Sequence, residues 1–170
     1  YGQVAVIEED VLPGPDFLPY VEFMLDAYRD DIRVDHISGY NVVPPEEQIP
    51  GRMNRLSIYP ESVAWATWER SWRAYDDDLG WLDRARLPQL RAIVGSRAGA
   101  LRWAQNFADA RAGRISTWAY RWVASMWSHG GLCLSPSVNL VEYVGYDEGT
   151  HTATVAAWTE LPIYSGPRAS

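Results

Sequence analysis

Lysine is absent from all 170 residues, and the fifteen basic side chains are arginines. That removes lysine chemistry altogether: no Schiff base and no phosphate-loop lysine. Cysteine occurs once, at Cys133, so no internal disulfide forms and nothing calls for an oxidising compartment. Histidine occurs three times, at His36, His129 and His151, too far apart for a His-x-x-x-His zinc pattern. No apolar run reaches eighteen residues, so the chain has no candidate spanning helix. Neither Gly-x-Gly-x-x-Gly nor Gly-x-Ser-x-Gly occurs. The net charge of −7 and the lack of a basic stripe make nucleic acid a poor partner.

What is abundant is indole and phenol, with nine Trp and ten Tyr against three Phe. Such rings pair a flat apolar face with a polar edge, which suits core filling or the stacking of sugars and other rings. The apolar fraction of 47% and the length are those of one soluble domain with a single core. Tyr1 is no initiator methionine, and the chain enters a strand almost at once. We therefore expect structural partners before residue 1.

Val4-Ala5-Val6-Ile7 is short, apolar and β-branched, and predicts a strand buried on both faces, as in a parallel sheet. A Pro/Gly-rich turn follows, with Asp16 as N-cap. Phe17, Val21, Met24, Leu25 and Tyr28 then recur at helical spacing. Residues 33–41 predict a second strand, and this strand–helix–strand order argues for an α/β layer with a mostly parallel sheet flanked by helices. Further on, residues 54–59 predict a strand and residues 64–75 a helix with Trp65, Trp68 and Trp72 on one face. One or two helices are expected over 87–112 and another over 117–128, stopped by Gly130. Strands follow at 132–134 and 138–143. Asp76-Asp77-Asp78 reads as a solvated loop, and Cys133 between two leucines as a buried small hydrophobe.

The sharpest feature is Glu8-Glu9-Asp10 directly after the first strand. Ligands of open α/β sheets bind beyond the carboxyl ends of strands. Three adjacent acids repel one another, and a hard divalent cation with oxygen ligands relieves that repulsion. A solvated strand end, or a carboxylate capping the next helix, accounts for them equally well.

The acidic triplet followed by Pro13-x-x-Asp16-Phe17 and an amphipathic helix resembles the metal-binding segment of GT-A-fold glycosyltransferases, the nucleotide-diphospho-sugar transferases. The similarity continues in residues 37–41, in Trp65-Ala66-Thr67-Trp68 with Trp72, in Thr117-Trp118 with Trp122, and in residues 131–152. The nearest pattern is that of bacterial family-2-like sugar transferases; a more distant one is that of eukaryotic N-acetylglucosaminyltransferases carrying Glu-Asp-Asp.

The resemblance implies a GT-A-like domain part over 1–152 lacking its N-terminal, base-binding portion, with an extension over 153–170. It implies Mn²⁺ or Mg²⁺ held by Asp10, with His151 as a further metal or diphosphate contact. Glu8 and Glu9 would touch the donor, a nucleotide-diphosphate sugar. Trp65, Trp68 and Trp118 would flank a carbohydrate, lipid-linked or protein acceptor. An inverting transfer is implied, in a cytoplasmic protein or one peripheral at a membrane. One departure stands out: where the family carries an aspartate as general base after the Trp of the Thr-Trp segment, this chain has Ala119. Glu69 and Asp109 are the candidate substitutes. With no base, the alternative is a catalytically impaired sugar- or nucleotide-binding domain that keeps the fold.

Overall fold

The structure, a computed structural model, describes residues 2–44 and 54–144. It is a mixed α/β arrangement around a five-stranded sheet. Strand β1 spans Gln3–Ile7 and β2 Val11–Pro13; helix α1 spans Phe17–Ala27 and strand β3 Val34–Ser38. Strands β4 (Asn54–Ser57) and β5 (Ala64–Trp68) follow, then the single-turn helix α2 (Glu69–Trp72) and a 3-10 turn at Gly80–Asp83. Helices α3 (Leu87–Val94), α4 (Arg97–Arg111) and α5 (Ala119–His129) precede β6 (Leu132–Pro136) and β7 (Val141–Tyr143).

The main sheet runs β1-β5-β3-β6-β4, and β2 pairs with β7 alongside it. Among the described residues only β3 and β6 are parallel neighbours, and every other pairing is antiparallel. The expected mostly parallel sheet is thus corrected. The β1-α1-β3 unit does return its second strand in the direction of the first, but β5 lies between them and runs against both. The expectation that β1 is buried on both faces is also overturned. It lies at the sheet edge, with Val4 49% and Ile7 43% exposed.

Residues 64–75 are not one helix. Ala64–Trp68 is extended and wholly buried, and only Glu69–Trp72 coils. In the sheet centre, alternating Ala, Trp and Thr fit both covered faces, a tertiary demand that outweighs the i, i+3 spacing of the tryptophans. Elsewhere the predicted elements form. Helix α1 turns Phe17, Val21, Met24 and Leu25 inward, and Gly130 ends α5 at φ 80°, in the left-handed region where glycine carries no Cβ penalty.

Each sheet face has its own core. On the α1 side, Phe17, Val21, Leu25, Ile37, Leu134 and Val141 form an almost wholly buried, largely aliphatic layer. On the other side, Trp65, Phe107, Trp122 and Trp127 pack with Leu79, Leu90 and Cys133 under α3, α4 and α5. Burying one such side chain contributes about 1.5–3 kcal/mol.

Candidate functional site

Strand alternation decides which residues meet. Val6 lies opposite Trp65 in the β1–β5 register, and Val4, Val6 and Glu8 follow at intervals of two on one side of β1. These three, together with Trp65, border a cavity of about 510 Å³ whose remaining described lining is Trp72 and Tyr75 beyond β5 and Trp118 at the entry to α5. The volume falls within the roughly 300–1,000 Å³ of small-molecule sites. Three segments far apart in sequence, residues 4–8, 65–75 and Trp118, therefore contribute to one space at the edge of the sheet.

The walls are ring faces. His36, Trp65 and Trp118 stack in a column, with centroids 4.8 Å and 5.2 Å apart and interplanar angles of 7° and 23°. Trp72 stacks on Tyr75 at 4.8 Å and 11°. The inner end of the column is tied down. Trp122 Nε1 donates to His36 Nδ1 at 3.0 Å, so His36 carries its proton on Nε2, which donates to the Glu61 carbonyl at 3.1 Å. Burial pushes the His36 pKa down to about 3, and the ring stays neutral. Trp65 is 2% exposed, and its indole N–H has no partner among the described residues; an orphaned buried donor costs about 1–3 kcal/mol.

Glu8 supplies the carboxylate of the lining. Its backbone N–H is fixed to the Val63 carbonyl at 3.0 Å. Burial raises its pKa first, and the charges of Glu9 and Asp10 raise it further; a hydrogen bond with Trp118 acts in the opposite sense. Glu9 is exposed and Asp10 half-buried. Among the described residues neither forms an ion pair with an arginine. No three His, Cys, Asp or Glu side chains of the described residues converge on a metal-sized space. The triplet's hard oxygens fit the Mg²⁺ or Mn²⁺ pattern of one or two carboxylates completed by phosphate oxygens and water, not a closed protein cage.

Of the acceptor-side tryptophans expected from the sequence, Trp65 and Trp118 line the cavity and Trp68 does not. Three residues along a strand reverse the side, so Trp68 packs in the α1-side core. There its Nε1 donates to the Leu25 carbonyl at 3.2 Å, and Arg70 lies 4.3 Å above its ring. His151 lies outside the described residues. Ala119 directly follows Trp118 and opens α5. The two candidate substitute bases are engaged elsewhere: Glu69 pairs with Arg73, and Asp109 with Arg114 and Gln105. These partners hold both carboxyls below the usual carboxylate range.

Val4, Val6 and Tyr75 were not among the candidates. The period of two from Val4 to Glu8 and the Trp72–Tyr75 spacing of three were the available signals. Asp76 and Asp77 have structural partners. Asp76 accepts from the Asp78 and Gly80 amides and thereby holds the turn at Leu79, and Asp77 pairs with Arg121. Cys133 is fully buried, and burial and the Glu61 charge push its thiol well up, so it is no nucleophile.

No protein-family model matches this chain, and no curated protein matches it.

Proposed function

We propose that this chain carries the metal end and the acceptor half of a GT-A-like glycosyltransferase, which moves a sugar from a nucleotide-diphosphate donor to a hydroxyl acceptor. One observation carries the reading. Glu8, the first acid of the segment after β1, and two of the three tryptophans expected on the acceptor side border the same cavity, although 57 and 110 residues separate Glu8 from Trp65 and Trp118. A donor diphosphate would lie beyond the end of β1 against Asp10 and its divalent ion, with Glu9 beside it. The ion, when bound, supplies positive charge to the departing diphosphate. Glu8, which the resemblance assigns to the donor, borders the tryptophan-lined space and would instead orient the acceptor together with Trp118, and the ring walls would exclude water from it.

A second reading is favoured by Ala119. A methyl group stands where the resemblance asks for a base, and Glu69 and Asp109 are held by arginines. General-base catalysis is worth about 10²–10⁴-fold. A domain without it would bind donor and acceptor and turn over slowly or not at all.

Calorimetric titration of Mn²⁺ with a nucleoside diphosphate, on wild type and Asp10→Ala, tests the shared premise. Saturable binding that needs the metal and is lost in Asp10→Ala is expected. Equal binding by both proteins would remove the premise. Donor hydrolysis then separates transferase from binder.

A further inference from the structure

The described lining of the cavity has few polar groups for the cavity's size. Its described lining contains no arginine, so nothing there answers an anionic group. The Tyr75 hydroxyl is already directed to Asp77 Oδ1 at 3.1 Å, and Trp118 faces Glu8 across the lining and lowers its pKa. That leaves the Glu8 carboxylate at one end, the N–H of the 44%-exposed Trp72, and the closed-in N–H of Trp65. A pyranose carries hydroxyls around its whole rim, and each one buried without a partner opposes binding. The remaining surface is two valines and flat ring faces, which match a planar apolar body.

We infer that the cavity takes a flat, largely apolar acceptor bearing a single hydroxyl directed at Glu8, a phenol or similar aryl alcohol, and not a polyhydroxylated sugar. This rests on the transferase reading for the word acceptor, while the ligand chemistry stands on the cavity alone. The ring of such a molecule lies along Trp72 and Trp118 with Val4 and Val6 opposite, and its hydroxyl donates to the carboxylate.

The test is calorimetric titration with p-cresol, toluene and cellobiose on wild type, Trp72→Ala and Glu8→Gln, each variant's fold being checked by circular dichroism. Trp72 is half-exposed, so its removal leaves the buried cores in place. We expect saturable p-cresol binding, weaker toluene binding and no saturable cellobiose binding. Trp72→Ala should weaken p-cresol about tenfold, the worth of one stacking contact, and Glu8→Gln should narrow the margin of p-cresol over toluene.

Cellobiose binding more tightly than p-cresol would overturn the inference. So would p-cresol binding that ignores Trp72→Ala, or no binding of either aryl probe. The Mn²⁺–diphosphate titration is read separately. Loss of aryl binding with Asp10-dependent diphosphate binding intact fails this inference alone. The converse result fails the transferase reading and leaves the cavity's ligand chemistry standing.

Discussion

The two faces of the sheet solve the same packing problem with different materials. On the α1 side, small branched aliphatic side chains interdigitate, and Phe17, Ile37 and Val141 have no exposed surface. On the other side, Trp65, Trp72, Trp118 and Trp122 meet one another at 5.2–6.1 Å and 23–40°. Rigid plates stack well but tile a curved space poorly, and the cavity opens where the stacks end at the sheet edge. The described side chains of the aliphatic core pack to near-zero exposure, whereas the aromatic face borders a cavity.

The strongest challenge to this contrast is to remove an aromatic plate from the centre. Trp122 is 1% exposed, contacts Trp65 and Trp72, and donates to His36. Trp122→Ala should cost about 3–5 kcal/mol in denaturant unfolding, as large as the worst aliphatic truncations. A loss below about 1 kcal/mol would show that the aromatic face does not support the fold.

A second test uses proton binding. His36 sits among the rings with its pKa lowered to about 3. On unfolding, it binds a proton that the folded state refuses anywhere between its unfolded value near 6.5 and that lower limit. Stability should therefore fall as the pH drops below 6.5, by about 1 kcal/mol per pH unit from this group. Glu8, raised by burial, acts in the opposite sense and is removed in Glu8→Gln; the lowered carboxyls of Asp31, Glu69, Asp83 and Asp109 act in the same sense as the histidine only further into acid, so its contribution is read just below pH 6.5.

His129 behaves the other way. Its Nε2 meets Asp35 Oδ2 at 2.6 Å, and that hydrogen bond raises its pKa above 6.5. Its contribution is full below pH 6.5 and is lost as the pH rises through the folded value. The unfolding free energy should thus pass through a maximum near the crossover, and His129→Gln should flatten only the alkaline side. Proton chemical shifts of the ring give the direct check. A His36 ring titrating near 6.5 would mean that the stack admits water.

Helix α1 was legible because one face of eleven residues repeats the same demand, and the stop at Gly130 because a left-handed residue there favours glycine. The strand at Ala64–Trp68 was misread because three tryptophans at spacings of three and four match a helix as well as a strand whose two faces are both buried. Their number gave no period, and burial on both faces erased the alternation that marks a surface strand. Sheet direction was not legible either, since a strand–helix–strand unit sets the direction of return and leaves open which strand inserts between. At the site, Glu8, Trp65 and Trp118 were recognisable by residue type and segment. Val4, Val6 and Tyr75 became visible only once the β1–β5 register placed them around a common space.

The finest test compares added volume on the two faces. A Cβ at Gly39 would stand 2.4 Å from two ring carbons of Phe17, which is fully buried. Gly39→Ala should then cost about 1–3 kcal/mol, the usual price of overpacking a filled core. Val6 borders the cavity on the opposite face, where an additional methylene meets open space. Val6→Leu should change stability by no more than about 0.5 kcal/mol while reducing the space left for a bound ring. Paired denaturant titrations decide the matter: equal losses would mean that the aromatic face is as tightly filled as the aliphatic one, and a silent Val6→Leu beside a costly Gly39→Ala would trace the cavity to the packing of rigid rings.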